Sequence, residues 1–188
     1  MRTWADFLSD LLFSKEKDNW WPLGDEHLNH LLIAMLIKYE PKFLERYLGK
    51  GSRNLLKVDF GSRRKKSPLG FGAAELDIHV EVSGVTTLIE IKTWHSLKEH
   101  QCPEAFAELI RNSSNYKILY VLLTDKAKQS YPKALSSDVE KSGRVSVMTR
   151  SDLIEALDQV SNSNEVGLIA SDYARALRLL TEDKGWSR

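Results

Sequence analysis

The stretch Glu75-Leu-Asp-Ile-His-Val-Glu-Val-Ser-Gly-Val-Thr-Thr-Leu-Ile-Glu-Ile-Lys92 decides how the chain folds. Two runs of alternating residues flank Ser83-Gly84, and such a dipeptide between such runs marks a two-residue β-hairpin turn. With that turn, facing residues carry numbers summing to 167, so Asp77 faces Glu90 and Glu75 faces Lys92. Directly opposed residues share one side of the ribbon, with Cβ atoms roughly 4.5–5.5 Å apart. The other side takes Leu76, Ile78, Val80 and Val82 against Ile91, Ile89, Thr87 and Val85, almost wholly apolar. A slip of one residue sets apolar side chains against the acids, so the hydrophobic pattern specifies the register. His79 and Glu81 continue the polar side toward the turn as rim residues.

Two carboxylates at that separation repel, which raises one pKa unless a cation neutralises them. A hard divalent ion suits them: Mg²⁺ prefers oxygen ligands and uses one or two carboxylates, several waters and substrate phosphates. Lys92 emerges on the same side as Glu90 because the side-chain period of a strand is two. An ammonium there can hold an attacking water or offset charge growing on a phosphorus-bound oxygen. The chemistry these groups suit is phosphodiester hydrolysis. The competing reading makes Glu75–Lys92 a cross-strand ion pair and leaves Asp77 and Glu90 as solvated surface acids. Like charges directly opposite each other destabilise a sheet, which weighs against it.

Asp77, twelve intervening residues and Glu90-Ile-Lys92 at the end of an apolar strand resemble the signature of the PD-(D/E)XK nuclease superfamily. The element order from about residue 20 to 125 is similar too: a helix carrying Glu26, three strands, a helix near 103–112 and an apolar strand at 116–123. The resemblance implies a restriction-endonuclease-like αβββαβ core. It makes Asp77 and Glu90 metal ligands, Lys92 the catalytic lysine and Glu26 an acid from the first core helix, with Mg²⁺ or Mn²⁺ as cofactor. Leu76 stands where the family name has proline, and Glu75 adds a carboxylate that either assists the metal or pairs with Lys92. The segment from Lys92 through Gln101 to Ile110 also resembles defence-associated members of the superfamily.

With 188 residues, 42 % of them apolar and 28 % charged, the chain fits one α/β domain with its own core. The core is expected over about 20–150, with a helical addition over about 151–188 and a further helix at the N-terminus. The longest apolar run, Leu31 to Ile37, is too short to span a bilayer. A single cysteine, Cys102, leaves no internal disulfide and no multi-cysteine zinc site. With no signal-peptide pattern at the N-terminus, the expected setting is cytoplasmic. The net charge of +1 does not mark a nucleic-acid-coating protein, yet Arg63-Arg64-Lys65-Lys66 forms one dense basic run near the acids. That run is either a solvated loop or a contact to a nucleic-acid backbone, with DNA ahead of RNA as substrate.

Elsewhere, residues 3–14 have helical apolar spacing, and Trp20-Trp21-Pro22 reads as core or interface ahead of a base-stacking surface. A helix from Gly24-Asp25 to Tyr39 is expected to bury Leu28, Leu32, Met35, Leu36 and Tyr39, with Leu31 alongside. Glu26 lies on its Ile33–Ile37 line, either edging the interior or complementing the helix dipole. His27 and His30 read as surface or partner-facing. Pro41–Leu48 predicts a short helix, Leu55–Phe60 a strand, and Ser96-Leu-Lys-Glu99 a capping box. Further on, a helix is expected at about 132–141, a strand at 144–148, and helices at 151–160 and 165–181. The last should align Leu168, Tyr173, Ala176 and Leu180, and Ser161–Asn164 is a break before a helix suited to dimerisation. The alternative to an enzyme is a nuclease-fold protein without turnover that binds nucleic acid or a protein partner.

Overall fold

A computed structural model describes residues 25–48, 55–60, 76–93, 95–160 and 165–180. The expectations for residues 3–14, Trp20-Trp21-Pro22, Arg63–Lys66, Glu75 and 161–164 lie outside the described residues. In chain order come α1 (Asp25–Tyr39), a 3₁₀ turn (Pro41–Leu44) continuing into α2 (Glu45–Leu48), then β1 (Leu55–Phe60), β2 (Ile78–Val82) and β3 (Val85–Lys92). Two 3₁₀ turns (Glu99–Gln101 and Pro103–Phe106) lead into α3 (Ala107–Asn112), followed by β4 (Tyr116–Leu122), α4 (Asp125–Gln129) and α5 (Ser137–Ser142). The described chain ends with β5 (Val145–Thr149), α6 (Arg150–Asp158) and α7 (Glu165–Leu179).

The five strands form one mixed sheet in the order β1-β2-β3-β4-β5. The first three are antiparallel neighbours, and β4 and β5 continue parallel to β3. Each parallel link needs a crossover, and helices supply both: the segment ending in α3, and then α4 with α5. The hairpin register is Ile78↔Ile89, Val80↔Thr87 and Val82↔Val85, as the apolar pattern requires. Its turn has positive φ at Ser83 (52°) and Gly84 (78°), the two left-handed residues of a type I′ turn, whose twist matches that of the strands.

Two apolar clusters, one on each face, make the protein a helix–sheet–helix sandwich. One joins Ile33, Leu36 and Ile37 of α1 with Ile89, Ile91, Val121, Leu153 and Leu177. The other joins Leu88, Ile118, Tyr120 and Leu122 with Leu97, Phe106, Ile110, Ala127 and Val139. α6 and α7 belong to the same core as α1, with Tyr173, Ala174 and Leu177 fully buried.

Several expectations are corrected. Leu76 leaves the Ile78 side and packs with Leu88, because the chain bends at Asp77 and the ladder stops at Ile78–Ile89. α1 buries Ile33, Ala34, Leu36 and Ile37, whereas Tyr39 and Leu31 are exposed. The helix expected at 132–141 is only Ser137–Ser142, with its N-cap at Ser136. A separate α4 starts where the Thr124 hydroxyl accepts the Ala127 amide at 3.3 Å. Along α7, Tyr173, Ala176 and the following Leu180 are buried as expected, but Leu168 faces outward, and Gly167 and Ala170 face the core instead. The expected cap at Ser96 is replaced by Lys98, whose amide donates to the Gln101 side-chain oxygen at 3.1 Å.

Candidate active site

The site forms where β3 runs out of the sheet. Alternation along the strand sends Glu90 and Lys92 toward the α3–α5 layer, and Ile91 and Thr93 toward α1. Glu90 is fully buried, a costly position for a carboxylate unless it is paired and hydrogen-bonded. Its Oε1 lies 2.9 Å from the Lys92 ammonium and accepts from Gln101 Nε2 at 2.7 Å. Gln101 is itself fixed: its Oε1 takes the Lys98 amide, and its carbonyl accepts the Tyr120 hydroxyl at 2.7 Å. Burial, and then the neighbouring Tyr131 and Glu90, push the Tyr120 pKa far up, so that hydroxyl stays a donor.

Asp77 arrives from the opposite side of the hairpin. Its Oδ2 accepts the Ile91 amide at 2.7 Å and stands 3.3 Å from His30 Nε2 of α1. Hydrogen-bonded pairs alternate in an antiparallel ladder, and Ile91 is in phase with Ile89 and Thr87. The Asp77 carboxylate therefore takes the position that the next ladder bond would occupy. The bend at Asp77 turns a backbone pairing into a side-chain anchor.

Asp77 is thus held, through the Ile91 amide, at the strand end that carries Glu90 and Lys92; the expected direct Asp77–Glu90 pairing is not part of the ladder, which stops at Ile78–Ile89. Glu90 is not a solvated surface acid, and the described partner of Lys92 is Glu90. The backbone of Glu26 lies in α1, one turn before His30; its side chain is outside the described residues, as are Glu75 and the basic run Arg63, Arg64, Lys65 and Lys66. Two further residues meet these groups: His30, expected at the surface, is instead turned inward against Asp77, and Gln101 had no role assigned from sequence. His30 lies on the Glu26–Ile33–Ile37 line of α1, and that line is the buried one.

Asp77 and Glu90 are hard oxygen donors: Asp77 lies against His30 and the Ile91 amide, and Glu90 against Lys92 and Gln101. Among the described residues no group of three or more His, Cys, Asp or Glu side chains could enclose a metal. An ion would take the two carboxylates and fill its other positions with water and phosphate oxygens, the habit of Mg²⁺.

The chain finds no match among protein-family models, curated proteins or solved structures. Among the described residues no helix is long and apolar enough to cross a membrane.

Proposed function

We propose that the protein is a Mg²⁺- or Mn²⁺-dependent phosphodiesterase acting on nucleic acid, DNA ahead of RNA, on a core of the PD-(D/E)XK type. One observation carries the reading. A buried Glu90–Lys92 pair with a 2.9 Å contact and an Asp77 carboxylate anchored on the intervening Ile91 amide lie at one strand end. Bound there, the ion would supply an acidified water and a Lewis acid for the phosphoryl oxygens.

The protein's own groups have distinct tasks. Asp77 and Glu90 hold the cation, and the Ile91 amide and Gln101 keep their carboxylates aimed. Lys92 presents a positive charge beside the phosphate, where it offsets the charge that accumulates in the transition state. Glu26, on the helix turn before His30, and Glu75, at the start of the hairpin, are placed in sequence to contribute further oxygen ligands or to hold waters. Arg63 to Lys66 would hold the polynucleotide backbone without reading its sequence.

Purified protein incubated with plasmid, single-stranded DNA and RNA, each with Mg²⁺, Mn²⁺ or EDTA, tests the proposal. Metal-dependent cleavage abolished by EDTA is expected; intact substrates in every metal condition would refute it. A second reading, a binding protein without turnover, draws on the full burial of Glu90 and the engagement of its Oε1 by Lys92 and Gln101. Thermal unfolding with and without Mn²⁺ separates the two, since an ion that binds only the native state raises Tm.

A further inference from the structure

We propose that the Tyr173 hydroxyl of α7 is a positioning group for this site, acting through Asn29 and Thr93. The inference rests on the phosphodiesterase reading and extends its working parts to the C-terminal helix.

Tyr173 donates to Asn29 Oδ1 at 2.6 Å, and Asn29 Nδ2 donates to Thr93 Oγ1 at 3.2 Å. All three residues are fully buried. They join elements far apart in sequence: Tyr173 is 144 positions from Asn29, and Thr93 is 64 positions from it. Two of the three members, Asn29 and Thr93, adjoin site residues in the chain. Asn29 directly precedes His30, which faces Asp77, and Thr93 directly follows Lys92, which holds Glu90. The end of β3 is pinned from its other side as well: the Lys92 carbonyl accepts the Leu123 amide at 2.9 Å, and the Thr93 carbonyl accepts the Thr124 hydroxyl at 2.5 Å.

Tyr173 belongs to the same apolar core as Ile33, Ile91, Ala170 and Ala174. Phenylalanine at 173 and leucine at 29 would fill similar space and remove both partners of the Tyr173–Asn29 bond, a kind of replacement that is often close to neutral for stability. What aliphatic packing does not supply is direction. The hydrogen bonds fix the rotation and height of α1 against the end of β3, and so the placement of His30 beside Asp77. A misplacement of about 1 Å at a reacting centre can cost about a hundredfold in rate.

The test compares the full chain, Tyr173→Phe, and Tyr173→Phe combined with Asn29→Leu. Each is assayed for kcat and KM on the DNA cleaved with Mn²⁺, for Tm, and for the imidazole ¹⁵N–¹H signal of His30 at fixed pH, assigned through His30→Gln. In Tyr173→Phe we expect kcat to fall about ten- to a hundredfold, with KM little changed and the His30 signal displaced. The double variant should regain the parental Tm without regaining kcat. Parental kcat and an unmoved His30 signal in Tyr173→Phe would overturn the inference, as would recovery of kcat together with Tm in the double variant. If Tyr173→Phe does not fold, the double variant carries the same comparison. If the parental protein cleaves nothing, the phosphodiesterase reading fails, and the His30 signal alone then decides the coupling, displacement upholding it and constancy overturning it.

Discussion

The Asp77 carboxylate accepts the backbone amide of Ile91 at 2.7 Å, so the first acid of the site is held by the residue between Glu90 and Lys92. The placement of one strand's side chain thus depends directly on the register of the next. Asp77→Ala removes both a proposed ion ligand and this anchor. Metal-assisted charge stabilisation is worth several kcal/mol, so cleavage should fall by about a thousandfold or more. Fold should survive, because Asp77 is half-buried at the end of the ladder and contributes nothing to either core. Initial rates on DNA together with circular dichroism check both halves; parental cleavage by a folded Asp77→Ala protein would remove the proposal.

Glu90 and Lys92 form the buried pair, and breaking such a pair by removing one partner costs more than the pair contributes. Lys92→Met should therefore destabilise the protein by about 3–5 kcal/mol at neutral pH, because it removes the ammonium 2.9 Å from Glu90 Oε1. Combining it with Glu90→Gln removes the uncompensated charge and should restore much of the loss. Urea titrations measure these differences. Mn²⁺ should raise the Tm of Lys92→Met more than that of the parent, since the ion replaces the missing positive charge; an equal rise in the two would argue against an ion at Glu90.

The hairpin was legible because two independent constraints agree: a period of two over Ile78–Val82 and Val85–Lys92, and a turn dipeptide that sets the pairing. The α1 face was not legible. Its stretch from Leu31 to Ile37 is apolar all round, so periodicity offers no single stripe, and packing against the sheet and α7 selects Ile33 and Ile37. The position of His30 was hidden for the same reason. Gln101 sits in a 3₁₀ turn without periodicity, and its role arises only when Tyr120 and Glu90 meet it from other strands. Asp77, Glu90 and Lys92 were readable because one hairpin carries all three, whereas His30 and Gln101 depend on contacts between distant segments.

Gly84 is the turn position where the backbone conformation matters and space does not. Its φ of +78° disfavours any L side chain, yet a Cβ there would meet nothing within 4 Å. Gly84→Ala should cost about 1–2 kcal/mol through backbone strain alone, and Gly84→Asn less, since asparagine tolerates that region better. Chemical denaturation of the two variants gives the order. Equal stability of Gly84→Ala and the parent would show that the turn does not hold the register on which the site depends.

The last prediction concerns the start of α6, where Thr149 and Asp152 cap the helix reciprocally. The Thr149 hydroxyl and amide both reach Asp152 Oδ2, at 2.6 and 2.8 Å, and the Asp152 amide returns to Thr149 Oγ1 at 3.3 Å. The Thr149 hydroxyl is the main cause that holds the Asp152 carboxyl below the usual carboxylate range, against a smaller upward push from burial. A carboxyl that is more acidic in the folded than in the unfolded chain stabilises the fold when ionised. That contribution is complete above the unfolded value of about 4 and disappears as pH falls through the lower folded value. Thr149→Ala should cost about 1 kcal/mol at neutral pH. For Asp152→Asn, the Tm deficit against the parent should be constant from about pH 7 to 5 and shrink below about pH 4. Because the other acids titrate alike in both proteins, the difference between the two curves isolates this carboxyl; a deficit that grows toward low pH would reverse the assigned sign.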